Sequence, residues 1–198
     1  MQFIYRVPGL IPKSLCNQII NKFEKSNFKR PGVAAHDDGE KISRSVYNDV
    51  KISTDISFES NILKNEEFQK EWGIVLHKLY PLIREGVDGY VNKFQHLDLL
   101  TKFTLEAFNI QKYNPGEGFF PFHCENSGSG IGLSRVLAWM VYLNDVPDGG
   151  TEFQYQNHIE SAEQGKFMVW PAYWTHAHKG QISNTTTKYI LTGWFSFI

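Results

Sequence analysis

The stretch RVLAWMVYLNDVPDGGTEF, residues 135–153, predicts two β-strands joined by a turn. RVLAWMVYLN (135–144) and TEFQYQ (151–156) are rich in the β-branched and aromatic residues that favour strands. PDGG (147–150) supplies the proline, aspartate and glycine that are typical of turns. The rest of the C-terminal half repeats this alternation of short strands and turns.

From about residue 101 to the end, the sequence contains seven candidate strands, separated by further turn sequences such as NPGEG (114–118) and SGSGIG (127–132). The five candidates outside the opening stretch are FTLEAFNIQKY (103–113), FFPFHCE (119–125), GKFMVW (165–170), WTHAHKG (174–180) and TKYILTGWFSFI (187–198). Seven strands in roughly 100 residues predict a β-sandwich or a double-sheet jelly roll, the double-stranded β-helix.

The N-terminal half shows helical spacing instead. PKSLCNQIINKFEKS (12–26) opens with a proline and places its apolar residues on one face. Residues 65–94 have the same spacing, although Pro81 is expected to break or kink that helix. Residues 30–60 are polar, and two strands are expected near 43–55. We therefore predict an α+β fold with the N-terminal helices packed on one sheet of the sandwich or jelly roll.

Length and composition are those of one soluble domain, 1–198, with 1–98 as mainly helical support and 99–198 as the jelly-roll core. The net charge of −1 gives no reason to expect binding to nucleic acid. No apolar run is long enough for a membrane span, and the N-terminus lacks the long apolar stretch of a signal peptide. Two cysteines are too few for a disulfide framework, so a reducing compartment, the cytoplasm, is expected.

His123 and Glu125 lie two positions apart in a predicted strand. Side chains at i and i+2 of a strand point to the same face, so both could bind one metal ion, although this pair also occurs by chance. A mononuclear iron(II) oxygenase site needs a second histidine as well. His176 and His178 are both candidates, and spacing alone does not choose between them because they too share a face.

Lys188 lies in the last predicted strand on the same face as Ile190, Thr192 and Trp194. Burying an ammonium group among such residues is costly unless it meets an anion. The lysine is therefore either an edge-strand residue that blocks aggregation or a group that binds the carboxylate of an organic acid.

Three blocks of the sequence resemble a known family. IQKYNPGEGFFPFHCE (110–125), RVLAWMVYLNDVPDGGTEF (135–153) and HKG with KYILTGW (178–194) are similar, in this order, to the prolyl 4-hydroxylase-like branch of the iron(II)- and 2-oxoglutarate-dependent dioxygenases, in particular its small bacterial and phage members. The resemblance covers about residues 100–198. It implies a double-stranded β-helix that contains the catalytic core, and a hydroxylase activity that yields succinate and CO2.

The resemblance also implies roles for individual residues. His123, Glu125 and His178 would be the catalytic iron ligands, because the distal histidine of the family precedes the 2-oxoglutarate lysine by ten residues, as His178 precedes Lys188. The co-substrate residues would be Lys188, Tyr113 and Trp194. Glu125 departs from the family pattern, in which aspartate is usual. Arg135 matches a recurrent arginine to which no contact can be assigned from the sequence.

The implied cofactors are Fe(II), 2-oxoglutarate as co-substrate and O2, with ascorbate as a supporting reductant. The substrate would be a peptide, a protein or a small molecule, and a peptidyl proline is the substrate that the resemblance suggests. Two alternatives remain open. A non-catalytic, cupin-like metal-binding module would keep the histidines but has no need of Lys188. A zinc hydrolase is the other alternative, since two histidines and a carboxylate suit zinc as well.

Overall fold

The structure, a computed structural model, describes residues 2–37, 42–97, 102–126, 128 and 130–198. The two long α-helices within these ranges are α1 Lys13–Lys25 and α2 Glu66–Lys93. The strands are β1 Tyr5–Val7, β2 Arg30–Pro31, β3 Ala34–Asp37, β4 Ile42–Ser45, β5 Thr54–Ser57, β6 Phe103–Leu105, β7 Asn109–Tyr113, β8 Arg135–Tyr142, β9 Val146–Phe153, β10 His158–Ala162, β11 Phe167–Pro171, β12 His178–Gly180 and β13 Lys188–Phe197. No helix in the described ranges is long and apolar enough to cross a membrane.

Most strands belong to one large antiparallel sheet. Its order is β1-β11-β8-β13-β7-β5-β2, and β6 pairs with the far end of β13. A small sheet has the order β10-β9-β12, while β3 and β4 form a separate hairpin. The first half of the chain therefore contributes β1, β2 and β5 to the large sheet, in addition to its helices.

The alternation of side chains along the large sheet produces two hydrophobic clusters. On β8, for example, Leu137, Trp139 and Val141 face the cluster that α1 and α2 cover, whereas Met140 and Tyr142 face the small sheet. The whole of β8 is buried because both faces of its sheet are covered. The predicted α+β jelly roll with helices packed on one sheet is thereby confirmed.

Pro81 does not end the second helix, and the expectation of a break there is wrong. α2 continues through Pro81 to Lys93. Pro81 and His77, whose carbonyl group loses its helical hydrogen bond, are both exposed. Water can satisfy that carbonyl group, while the opposite face of α2 stays packed on the sheet through Leu79 and Ile83.

The PDGG sequence is also not a turn between strands, because residues 147–150 lie inside β9. The β9–β10 register passes from Val146↔Ala162 to Thr151↔Glu160, so these residues form a bulge. Gly150 has a structural reason to be glycine, since a Cβ atom there would lie 2.2 Å from the carbonyl oxygen of Glu160. Strand β10, which pairs with this bulge, is absent from the sequence prediction.

A buried charge cluster ties β10 of the small sheet to β1 at the edge of the large sheet. Glu160 is 5% exposed and binds Lys166 at 2.8 Å, His158 at 3.0 Å and also Arg6. Burial alone would raise the pKa of Glu160, but hydrogen bonds from His158, Lys166 and Arg6 outweigh it and lower the pKa to about 2. The ionised carboxylate therefore stabilises the folded state.

This cluster predicts a loss of stability in acid. The ordinary pKa of glutamate is 4.5 and that of Glu160 in the folded protein is about 2, so the unfolded chain takes up the proton first as the pH falls between these values. The free energy of unfolding should decrease over this window by on the order of 2 kcal/mol. Urea unfolding of the wild type and of Glu160→Gln between pH 2 and 7 measures it. The difference between the two proteins should shrink below pH 4.5, and a difference independent of pH would contradict the assignment.

Candidate metal centre and co-substrate cavity

A backbone bridge brings two histidines together. The amide of His123 donates to the carbonyl of His178 at 3.0 Å, and the amide of His178 donates to the carbonyl of His123 at 2.9 Å. In such an antiparallel pair the opposing side chains lie on the same face, and the two ring centroids are 4.5 Å apart. The segment 119–125 makes only isolated bridges and is not the regular strand that the sequence predicted.

Glu125 joins the two rings from a backbone that is fixed separately. Its amide, and that of Asn126, donate to the carbonyl of Ala172 at 2.9 and 2.8 Å. Its Oε1 atom lies 3.4 Å from Nε2 of His123 and 3.5 Å from Nε2 of His178. One ligand atom from each of these three residues thus lies within 4.8 Å of the others.

The hydrogen bonds of the two imidazoles orient their ligand atoms. Nδ1 of His123 lies 3.2 Å from the carbonyl of Pro121, and Nδ1 of His178 lies 2.9 Å from the carbonyl of His176. Because a carbonyl oxygen only accepts, both Nδ1 atoms carry the proton and both Nε2 lone pairs face Glu125. Two lone pairs and a carboxylate oxygen that converge in this way fit a divalent cation, and they are the donor set of non-haem iron(II) oxygenases.

The pKa shifts favour the protonation states that bind metal. Burial would raise the pKa of Glu125, but the hydrogen bonds and charges that His123 and His178 supply when they are protonated hold it well below its usual range. Burial, together with the neighbouring His123, lowers the pKa of His178. An ionised carboxylate and a neutral imidazole are the forms that bind a metal ion.

His176 lies away from this group. Residues 174–176 form a 3₁₀ turn, so the strand predicted over 174–180 is wrong in its first half and begins only at His178. Because of this turn, strand alternation does not apply between His176 and His178, and their side chains do not lie on one face. Nε2 of His176 lies 2.9 Å from the carbonyl of Gln2 instead.

The three candidate ligands open into a cavity of about 790 Å³ between the two sheets. Lys188, Tyr113 and Trp194 all line it, on the face of the large sheet that the sequence predicted. Lys188 is 5% exposed and faces Tyr113 across the strand pair β13–β7. Its Nζ atom donates to the carbonyls of Gly149 at 3.1 Å and Gln181 at 2.7 Å. Burial lowers the pKa of Lys188 to about 8, although the charge of Asp148 opposes this.

Tyr113 lies beside Lys188 at the same end of the cavity. The Lys188 ammonium group is 5.4 Å from the centre of its ring. The Tyr113 hydroxyl donates to Oε1 of Gln111 at 2.8 Å, and the amide of Gln111 extends towards Asp55. Burial raises the pKa of Tyr113 well above its usual value, so the hydroxyl keeps its proton.

Sequence reasoning missed Tyr142 and Thr151, which also line the cavity. Their hydroxyl groups lie 2.6 Å apart. Tyr142 pairs with Ile190 on β13, two residues from Lys188. The period of 2 along β13 and β8 was the available signal, because it places Met140 and Tyr142 on the cavity face. Thr151 was hidden by the bulge in β9, which changes the alternation just before it.

Trp194 contacts the metal centre and not the lysine end of the cavity. Its Nε1 atom donates to Oε2 of Glu125 at 2.7 Å. The guanidinium group of Arg135 stacks on the indole at 3.7 Å from the ring centre and also binds Glu106. Arg135, without an assigned contact in the sequence, thus lies next to Trp194.

Comparison with known proteins supports these observations. Residues 108–196 match the family model of the 2OG-Fe(II) oxygenase superfamily. No curated protein gives a significant sequence match.

Similar solved structures share the fold over almost the whole chain. A viral collagen prolyl hydroxylase from Paramecium bursaria Chlorella virus-1, solved with 2OG, has a TM-score of 0.62 and 15% identity over 99% of this chain and 97% of its own. A prolyl-4-hydroxylase from Pseudomonas putida has a TM-score of 0.62 and 14% identity over 100% and 94%. A prolyl hydroxylase from Trichoplax adhaerens, solved with a hypoxia inducible factor peptide fragment, has a TM-score of 0.69 and 12% identity over 100% and 84%.

The matched range contains all six predicted site residues, and the similar structures have the predicted fold. Residues 108–196 of this chain thus match the 2OG-Fe(II) oxygenase superfamily, and almost the whole chain shares its fold with solved prolyl hydroxylases.

Proposed function

We propose that this protein is an iron(II)- and 2-oxoglutarate-dependent dioxygenase that hydroxylates a C–H bond of its substrate. The observation that carries the proposal is the position of a buried lysine in the same cavity as two histidines and a glutamate. Strands from both halves of the chain form the sheet that lines this cavity, so residues 1–198 would act as one domain.

His123, Glu125 and His178 would hold the iron through two Nε2 atoms and one carboxylate oxygen. Iron, 2-oxoglutarate and O2 together supply the oxidation, in which one oxygen atom enters the substrate and the other enters succinate as CO2 leaves. The protein's part is to fix the ligands and to enclose the reacting groups between the two sheets. The carbonyl groups of Pro121 and His176 place the proton of each neutral imidazole on Nδ1, so that Nε2 can bind the metal.

Lys188 would bind the carboxylate of 2-oxoglutarate that is remote from the metal. An ammonium group has three donors, and the carbonyls of Gly149 and Gln181 accept two of them, which leaves one for the co-substrate. Tyr113 would turn its proton from Gln111 towards the same carboxylate. Because the pair is buried, a charge-assisted hydrogen bond there is stronger than at the surface.

Among the residues that the structure describes, the charged side chains on the remaining cavity wall are paired with one another. Lys51 binds Asp55 at 2.6 Å, Arg30 binds Glu59 at 3.0 Å, and Arg135 binds Glu106 at 3.1 Å. A charged substrate group would have to compete with these pairs at the cost of its own desolvation. We therefore propose that the reacting group is uncharged.

Among uncharged groups, a peptidyl proline is the first candidate, because three of the similar structures are named as prolyl hydroxylases. The fold alone does not fix the substrate, so other peptides and small molecules remain to be compared with it. The need for ascorbate stays a prediction. A cytoplasmic location also stays a proposal, which the free thiols of Cys16 and Cys124 support.

Anaerobic addition of Fe(II) and 2-oxoglutarate should give the visible charge-transfer absorption of the iron chelate, and admission of O2 should then give succinate. Proline-rich peptides incubated in the same mixture should gain one oxygen atom by mass spectrometry. His178→Ala should lower succinate formation by about 100-fold or more, because it removes a metal ligand.

His176→Ala is the matched control, since only its backbone carbonyl contacts His178 and that group remains. It should retain the absorption band. Absence of both the band and succinate from the wild type would favour the zinc hydrolase or cupin-like alternatives.

The affinity for 2-oxoglutarate should fall above pH 8. Lys188 must be protonated to bind a carboxylate, and its pKa is about 8, so the dissociation constant should rise by about tenfold per pH unit above that value. Calorimetric titration of the Mn(II)-loaded protein between pH 6.5 and 9.5 measures this. Lys188→Arg keeps its charge throughout and should show no such rise. An affinity of the wild type that is equally flat would remove Lys188 from the co-substrate site.

A further inference from the structure

The two carboxylate oxygens of Glu125 lie in different surroundings. Oε1 is the atom that approaches the two imidazoles, at 3.4 and 3.5 Å. Oε2 accepts the indole N–H of Trp194 at 2.7 Å and lies 3.9 Å from Nη1 of Arg135. One oxygen is therefore directed at the metal position, while the other is held by side chains of the large sheet.

Trp194 is itself fixed from three sides. Its backbone is paired with Ala138 in the centre of the large sheet, and its carbonyl accepts the amide of Glu106 at 2.9 Å. The guanidinium group of Arg135 covers the indole ring at 3.7 Å. That guanidinium group is in turn held by both oxygens of the Glu106 carboxylate at 3.1–3.2 Å. The indole N–H is thus pre-oriented towards Glu125.

A glutamate needs this support more than an aspartate would. The backbone of Glu125 is pinned to Ala172, so the position of the carboxylate depends on the side-chain torsions. Glutamate is among the side chains with the most rotamer freedom to lose. A free glutamate carboxylate could also bind a metal through both oxygens, whereas a carboxylate with one oxygen already bonded presents the other alone.

We propose that Trp194, held by Arg135, is the positioning residue of Glu125. It fixes the rotamer of a ligand that is one methylene longer than aspartate, and it leaves only Oε1 for the metal. The inference rests on the proposed metal centre and assigns Trp194 to the metal end of the cavity, not to 2-oxoglutarate. Loss of such an outer hydrogen bond typically weakens metal binding about 10–100-fold.

The test is Trp194→Phe, which keeps an aromatic ring for Arg135 to stack on and removes the N–H group. We expect it to weaken Co(II) and Mn(II) binding by about tenfold, measured by calorimetry without 2-oxoglutarate. The visible d–d spectrum of bound Co(II) should also change, because the freed oxygen alters the coordination. Unchanged affinity and spectrum would overturn the proposal.

Trp72→Phe is the matched control for the loss of a buried indole. Trp72 lies on the buried face of α2, and its N–H has no hydrogen-bond partner in the described part of the chain. It should lower the melting temperature and leave metal affinity unchanged. An equal loss of affinity in both variants would indicate general destabilisation and would contradict the positioning role.

Glu125→Asp supplies a second test, as the other arm of a double-mutant cycle with Trp194→Phe. The shorter side chain should not keep both the indole bond and the metal position, so metal affinity should fall. Adding Trp194→Phe to Glu125→Asp should then cost little more, whereas additive losses would overturn the proposal. Failure of the wild type to bind either ion would instead overturn the proposed function, which keeps the two outcomes distinct.

Discussion

The site depends on one pair of backbone hydrogen bonds, those between His123 and His178. They are the contact at which a segment with little regular structure meets the small sheet. The same segment is held from its other side, where the carbonyls of Gly118 and Val50 accept the amides of Ile52 and Phe120 at 2.9 Å. An irregular segment that is bonded in this way can present side chains with strand-like precision, because the amides of Phe120, His123 and Glu125 already have partners.

The cavity holds its charges in place before any ligand is present. Glu125 is oriented by Trp194, and Lys188 is oriented by two carbonyl groups. Burial of these groups is unfavourable by itself, and the fold offsets the cost by giving each a hydrogen-bond partner. A site arranged in this way needs little rearrangement when a metal ion and a dianion bind, which is the usual structural basis of electrostatic catalysis.

The sequence predicted those parts of the site that follow from alternation along regular strands. Lys188 and Trp194 share the cavity face because period 2 applies along β13 as far as Trp194, whereas Tyr113 was assigned by the family resemblance. The sequence prediction failed where the local structure departs from a regular strand.

The 3₁₀ turn at 174–176 separates His176 from His178, and the bulge at 147–150 absorbs residues that have the composition of a turn. The residue composition of these two segments does not reveal either departure. The departures follow instead from long-range pairing, of Val146 with β10 and of His178 with β9. Pro81 is a comparable example in a helix. α2 can contain this proline because the residue is exposed to solvent, and the local sequence does not encode that exposure.

The division of the cavity between the two halves of the chain bears on substrate choice. The candidate metal ligands and Lys188 all fall within 108–196, the range that matches the family. Arg30, Asp55 and Glu59, which also line the cavity, fall outside it. In the proposed function the first set would bind iron and 2-oxoglutarate, whereas the second set only lines the cavity. Strands β2 and β5 are joined to the site through β7, so this part of the wall is held in a fixed position relative to the candidate metal ligands. We therefore expect Arg30, Asp55 and Glu59 to contribute to the selection of the substrate.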